Sequence, residues 1–200
     1  MNQESLNNNS DPIGILLAAG RGRRLGGRKQ FYPWPTTDGE VPLVAAAFDA
    51  VAGVCKKMIV VLGHRSDEVA TVLGERVFQP VQSDPDAPMF ESIRAGLRAS
   101  LQADSGAKVL LHPADHPEVA YATLVQLLAF SREHPDRAIM PEYEGRGGHP
   151  AVIPAELAAV LQSADCPQGL GQFWCEHPEL CLRMSVADKS VVHDIDTATR

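Results

Sequence analysis

Five cations crowd into one short stretch of this chain. Arg21, Arg23, Arg24, Arg28 and Lys29 are five of only 18 basic residues in a 200-residue sequence of net charge −7. Gly20, Gly22, Gly26 and Gly27 are interleaved with them. Glycine lets backbone N–H groups close around an anion without a Cβ in the way. Arginine and lysine supply the countercharge that a polyphosphate needs. Such a local concentration points to a small anionic ligand, and the acidic balance elsewhere argues against a long polyanion such as a nucleic acid. Two sets of carboxylates complement the basic stretch: Asp115 in Pro113-Ala114-Asp115-His116-Pro117, and Asp194 and Asp196 near the end of the chain.

Positioning these groups requires a scaffold. Ile13-Gly14-Ile15-Leu16 is an apolar run that reads as a buried strand and leads directly into Leu17-Ala18-Ala19-Gly20. Further strands are expected over 57–62, 77–81, 108–112, 137–140, 180–185 and 191–195, and the glycine-rich 142–149 is followed by the apolar Ala151-Val152-Ile153. Helices are expected over 42–53, from an N-cap at Ser66 to 73, and over 90–101, 120–133, 154–162 and 171–176. Residues 30–40 read as a loop or hairpin. Strands alternating with helices predict an α/β fold, a single domain over 13–200 with a mainly parallel sheet and helices on both faces. In such sheets ligands bind beyond the carboxyl ends of the strands. The basic loop, the 63–66 turn, the 112–117 segment and the 194–196 segment all fall near those ends.

The glycine spacing excludes two common phosphate loops. Gly20, Gly22 and Gly26 run G-x-G-x-x-x-G, and the next strand ends Leu62-Gly63-His64 with no acidic residue, so the dinucleotide fingerprint is missing. Lys29 precedes Gln30 instead of Ser or Thr, so a Walker A loop is missing as well. Residues Leu17 to Lys29 instead follow L-A-A-G-x-G-x-R-x-G-x-x-K. This resembles the MobA-like nucleotidyltransferases, and most closely the molybdenum cofactor cytidylyltransferases (MocA-like). Pro113 to Pro117 looks like that family's central D-x-P motif, Gly147-Gly148-His149-Pro150 like its G-x-x-G-H-P, and Asp194-Ile195-Asp196-Thr197 like its D-I-D-T-P. The motifs come in family order and span nearly the whole chain.

The resemblance implies a Rossmann-like nucleotidyltransferase fold and a reaction. A nucleoside monophosphate passes from a triphosphate to a phosphorylated acceptor such as molybdopterin cofactor, and pyrophosphate leaves. A molybdoenzyme is the implied partner for the product. In-line attack at an α-phosphorus needs positioning and charge neutralisation above all. On this resemblance Leu17, Ala18, Ala19, Gly20, Gly22 and Ser92 bind the nucleotide, while Arg24 and Lys29 stabilise the leaving pyrophosphate. Asp115, Asp196 and Asp194 hold Mg²⁺, which takes one or two carboxylates plus phosphate oxygens and water. The two C-terminal aspartates, two apart on an expected strand, would share a face. Gly148 and His149 line the acceptor side. L-A-A-G, where guanylyl-transferring relatives more often carry L-A-G-G, favours CTP over GTP.

Three segments depart from the family pattern. Residues 84–92 read D-P-D-A-P-M-F-E-S instead of N-P-x-x-x-G-M-x-x-S, no G-D-x-G-A-R is recognisable near Gln168 to Gly171, and 33–42 is longer than usual. These departures keep two alternatives in play: a non-catalytic nucleotide- or cofactor-binding relative, or a transferase for a sugar or isoprenoid phosphate. His64 and His116 read as turn histidines, and Trp34 and Trp174 as packing residues. Cys55, Cys166, Cys175 and Cys181 match no common zinc spacing and read as structural thiols. Residues 1–12 are polar and Asn-rich, without the basic end and apolar core of a signal peptide, and are expected to be a disordered tail. No apolar run approaches membrane-spanning length, so a cytoplasmic setting and no membrane partner are expected.

Overall fold

The computed structural model describes residues 11–21 and 27–195. The apolar run at Ile13 becomes β1 (Ile13–Ala18), at the heart of an eight-stranded sheet. It is flanked in parallel by β4 (Lys57–Leu62) and β6 (Val109–Pro113). Beyond β4 lies β5 (Gln79–Gln82), also parallel. These central strands are covered on both faces, which is why they read as apolar runs without alternation.

The other half of the sheet is mixed. β7 (Ala138–Tyr143), the two-residue β8 (Arg146–Gly147) and β9 (Ala151–Ile153) follow one another with only short links. A parallel return needs a crossover of a dozen or more residues, so these strands pair antiparallel. β9 inserts antiparallel beside β6, and β10 (Cys181–Ser185) closes the edge parallel to β7. The order is β10-β7-β9-β6-β1-β4-β5. The expected mainly parallel α/β architecture therefore holds, with an antiparallel insertion. Residues 30–40 include the start of a separate hairpin, β2 (Pro33–Thr36) and β3 (Gly39–Pro42).

Side chains alternate between the two faces of each strand. Leu16 and Ala18 of β1, with Met58, Val60 and Leu62 of β4, pack under α1 (Leu43–Ala52), α2 (Ser66–Leu73) and α4 (Tyr121–Glu133). Ile13 and Ile15, with Ile59 and Val61, pack under α3 (Met89–Ala103), α5 (Ala155–Ser163) and α6 (Leu170–Glu176). Trp34 is buried against Leu43 and Ala46, and Trp174 packs edge-to-face on Phe173 with ring centroids 5.2 Å apart. Both tryptophans serve packing, as expected. No helix among the described residues is long and apolar enough to cross a membrane.

Two local expectations are corrected. Ser66 is the first helical residue of α2 and not its cap; Arg65, at φ 58°, reverses the chain before it and pairs with Glu68 at 2.8 Å. Residues 191–195 do not form a strand. Asp188 accepts hydrogen bonds from Ser190 N–H at 3.0 Å and from the Ser190 hydroxyl at 2.5 Å, which curls Lys189–Val192 into a 3₁₀ turn. The same carboxylate accepts from Ala120 N–H at 3.0 Å and from the Thr123 hydroxyl at 2.8 Å. Local side-chain bonding thus outcompetes the strand pattern and ties the C-terminal segment to the start of α4.

Candidate active site

The carboxyl ends of β1, β5 and β6 open onto one cavity of about 580 Å³. The loop after β1 contributes Ala19, Gly20, Lys29 and Gln30; the loop after β5 contributes Asp84, Pro85 and Ala87; the turn after β6 contributes Ala114, Asp115 and His116. Arg146, Gly148 and His149 come from the β8–β9 arm, and Val191, Val192 and Asp194 from the C-terminal segment. Separate backbone bonds hold each wall. Ala114 N–H donates to Leu17 C=O at 3.1 Å, Ser83 N–H to Leu62 C=O at 2.8 Å, His149 N–H to Val191 C=O at 2.8 Å, and Ile195 N–H to Asp115 C=O at 3.0 Å.

Lys29 Nζ donates to Asp115 Oδ2 at 2.8 Å across the cavity floor. Both side chains are mostly enclosed, at 14 % and 31 % exposure. Gln30, in the 3₁₀ turn Lys29–Phe31, donates from Nε2 to Ala18 C=O at 2.5 Å and to Gly20 C=O at 3.3 Å, which ties this turn to the end of β1. Arg21 forms an ion pair with Asp86, so the basic loop is clasped to the 83–88 loop. In that loop Asp84 Oδ1 accepts from Asp86 N–H at 2.8 Å, and the Ser83 and Ser92 hydroxyls meet at 2.9 Å.

Three imidazoles lie beside Asp115. His112 Nε2 is 2.8 Å from His116 C=O. The His116 ring packs edge-to-face on His149 with centroids 5.1 Å apart, and its Nε2 lies 3.8 Å from Asp115 Oδ1. Burial holds the His112 imidazole down at about 3 and the His149 imidazole at about 4. Burial also lowers His116, against the pull of the Asp115 and Asp194 carboxylates. All three are therefore neutral near pH 7. His149 Nδ1 is buried without a partner among the described residues, and its ring lines the cavity.

Most of the residues expected from sequence come together here. Leu17, Ala19, Gly20, Lys29, Ser92, Asp115, Gly148, His149 and Asp194 all line the cavity. Ala18 lies just behind the wall, buried, and contributes its carbonyl to Gln30. Gly22, Arg24 and Asp196 lie outside the described residues. Asp194 belongs to an irregular segment instead of the expected strand, and the face it was expected to share with Asp196 involves a residue outside the described ones. His116 is more than a turn residue: it is buried between Asp115 and His149 in the cavity wall. Sequence reasoning passed over Gln30, Asp84 and Arg146. For Asp84 the signal was present in the Asp-for-Asn departure; Gln30 and Arg146 carried none.

Mg²⁺ is tested by the donor set. Among the described residues no group of three or more His, Cys, Asp or Glu side chains is arranged to hold a metal by itself. Asp115 and Asp194 nevertheless present hard carboxylate oxygens to one cavity. One or two carboxylates suffice for Mg²⁺ when phosphate oxygens and water complete the shell. The residues therefore fit a metal that arrives with a nucleotide.

Residues 14–180 match the family described as the MobA-like NTP transferase domain. Among curated relatives, nicotine blue oxidoreductase of Paenarthrobacter nicotinovorans is 30% identical over 194 residues, covering 92% of this chain and 91% of that protein. Molybdenum cofactor guanylyltransferase of Pseudomonas syringae pv. syringae (strain B728a) is 31% identical over 153 residues, covering 75% of this chain and 71% of that protein. Among solved structures, Rv0371c from Mycobacterium tuberculosis H37Rv superposes with a TM-score of 0.78 at 23% identity, covering 94% of both chains. A complex of Rv0371C with manganese superposes at 0.74, with 22% identity and 94% of both chains covered.

Proposed function

Since the chain belongs to the MobA-like NTP transferase family, we propose that this nucleotidyltransferase moves a guanylyl group from GTP to a phosphorylated acceptor of the molybdopterin type, releasing pyrophosphate. The observation that carries this reading is the shared cavity, in which the Ala19–Gly20 turn, the Lys29–Asp115 pair and the Asp84 loop meet. An acceptor phosphate oxygen attacks the α-phosphorus, and the bond from that phosphorus to the bridging oxygen breaks. Backbone amides at Ala19, Gly20 and Gly22 hold the outer phosphates, and Lys29 with Arg24 neutralises the charge that grows on the departing pyrophosphate. Asp115 and Asp194, with Asp196, would hold Mg²⁺, which when bound supplies further charge neutralisation at the phosphates. Gly148 and His149 face the acceptor. A cytoplasmic setting and delivery of the product to a molybdoenzyme belong to the same reading.

The base preference departs from the CTP expected from L-A-A-G. The relative quoted above is a guanylyltransferase, and the cavity wall carries a carboxylate at Asp84. A carboxylate is acceptor-only. Guanine offers paired donors at N1–H and N2–H₂. Cytosine offers one donor at N4 beside acceptors at N3 and O2, which a carboxylate repels. The test is pyrophosphate release with Mg²⁺ and GTP, ITP or CTP, using molybdopterin, sugar-phosphate and isoprenoid-phosphate acceptors. GTP should lead, and Asp84→Asn should shrink its margin over CTP by about 5- to 100-fold, the worth of one bidentate base contact. A preference for CTP in the wild type overturns the base assignment. Silence with every triphosphate overturns the transferase reading.

A second reading is an oxidoreductase on this scaffold, favoured by the near full-length match to nicotine blue oxidoreductase. It predicts oxidation or reduction of a dye of the nicotine blue type against an added redox partner, with no pyrophosphate released.

A further inference from the structure

Arg146 is the basic side chain that the β7–β8 hairpin brings to the cavity. The hairpin turns through Glu144 and Gly145, at φ 49° and 78°, the paired left-handed conformation of a tight two-residue turn. Tyr143 and Arg146 face each other directly across it. Arg183, on the neighbouring β10, donates to Glu142 Oε2 at 3.2 Å and to Gly145 C=O at 3.4 Å. The carboxylate nearest the hairpin base is thus already neutralised from outside. Arg146 forms no hydrogen bond or ion pair with another described residue, and it is exposed.

Its position separates it from the nucleotide's phosphates. β8 pairs with β7 on the edge it shares with β9, two strand positions from β1, roughly 10 Å at the usual strand spacing. The Ala19–Gly20 turn and Lys29 belong to the β1 end; Arg146 belongs to the end formed by Gly148, His149 and Val191. Gly148 N–H donates to Pro141 C=O at 2.8 Å, which anchors the arm to β7. That end therefore combines one exposed cation with the neutral His149 ring, whose Nδ1 has no partner among the described residues. A guanidinium fork takes two oxygens of one oxyanion at once, and a phosphomonoester offers three.

We propose that Arg146 is a specificity residue that binds the terminal phosphate of the acceptor and orients it toward the α-phosphorus. The proposal rests on the nucleotidyl-transfer reading of this cavity. It assigns the acceptor's anion to the hairpin arm and leaves the outer phosphates of the nucleotide to the loop after β1.

The test uses the full chain with Mg²⁺ and a non-hydrolysable α,β-methylene GTP analogue at saturation. Calorimetry then measures binding of inorganic phosphate, and of acetate as a carboxylate control, to wild type, Arg146→Ala and Arg146→Lys. Phosphate affinity should fall tenfold or more in Arg146→Ala and recover in part in Arg146→Lys. Affinity for the GTP analogue should stay within twofold throughout. Unchanged phosphate binding in Arg146→Ala overturns the proposal, as does a parallel loss of analogue binding, which would put Arg146 at the nucleotide. Equal binding of acetate overturns the selection of phosphate. Failure of wild type to bind the analogue at all fells the transferase reading, and this proposal with it. Thermal melting of both variants confirms that the exposed hairpin position leaves the fold intact.

Discussion

Lys29 Nζ and Asp115 Oδ2, 86 residues apart in the chain, meet at 2.8 Å on the floor of the cavity. β1 and β6 are parallel neighbours, so their carboxyl ends bring the two loops together. The lysine and the carboxylate offset each other's charge. In the proposed reaction the two part: the lysine turns to phosphate oxygens and the carboxylate to the metal.

Lys29→Met and Asp115→Asn should each lower kcat by about 10²- to 10³-fold, the usual loss when one preorganised charge stabiliser is removed. Because both residues serve one step on one bound nucleotide, so that losing either leaves it misplaced, the double variant should be little worse than the weaker single variant. Pyrophosphate release on the three variants measures this. Losses that multiply cleanly would show that the pair does not act together.

Gly148→Ala should destabilise the protein by about 1–3 kcal/mol, the usual cost of overpacking. A Cβ there would lie 2.7 Å from the Val191 carbonyl carbon and 3.1 Å from its Cβ. The backbone cannot yield without stretching the bond from His149 N–H to Val191 C=O. Urea unfolding gives the stability change. Activity should fall through the acceptor's KM, since the displaced arm carries Arg146 and His149. A variant as stable as wild type would refute the close contact.

The buried histidines set an acid limit on stability. The folded state keeps His112 neutral down to about 3 and His149 down to about 4, each from an ordinary 6.5. Below about pH 6.5 the unfolded chain therefore binds more protons than the folded one, and stability falls as pH falls. The stabilisation is fully present above pH 6.5. It erodes by roughly 1 kcal/mol per pH unit for each histidine until the folded-state values are reached. Urea midpoints between pH 7 and pH 4.5 should show this slope, and His112→Gln should flatten it. An identical slope in the variant would exclude His112 as a source.

Local pattern was enough for the core elements. Ile13 to Ala18 and Met58 to Leu62 are uninterrupted apolar runs, the form that strands buried on both faces take. The amphipathic spacing of Ile93 and Leu97 marked α3, whose buried face they occupy. Pattern failed where a side chain bonded its own neighbourhood. Val191 to Ile195 is expected as a strand, yet the Asp188 carboxylate curls Lys189–Val192 into a 3₁₀ turn. Arg65 likewise takes over the start of the helix expected to begin at Ser66.

The sequence by itself determined the α/β class, because apolar periodicity is local and survives without coordinates, and its family motifs marked Lys29, Asp115, His149 and Asp194, which all line one cavity. Tertiary structure alone decided how that set is arranged. It placed Asp84 on the cavity wall, buried His116 between Asp115 and His149, tied Gln30 to the carbonyls of Ala18 and Gly20, and set the exposed Arg146 at the cavity on its hairpin. Each of these roles depends on a neighbour distant in the chain. Such neighbours are fixed by strand order and by the short antiparallel return through β9, which no local pattern encodes.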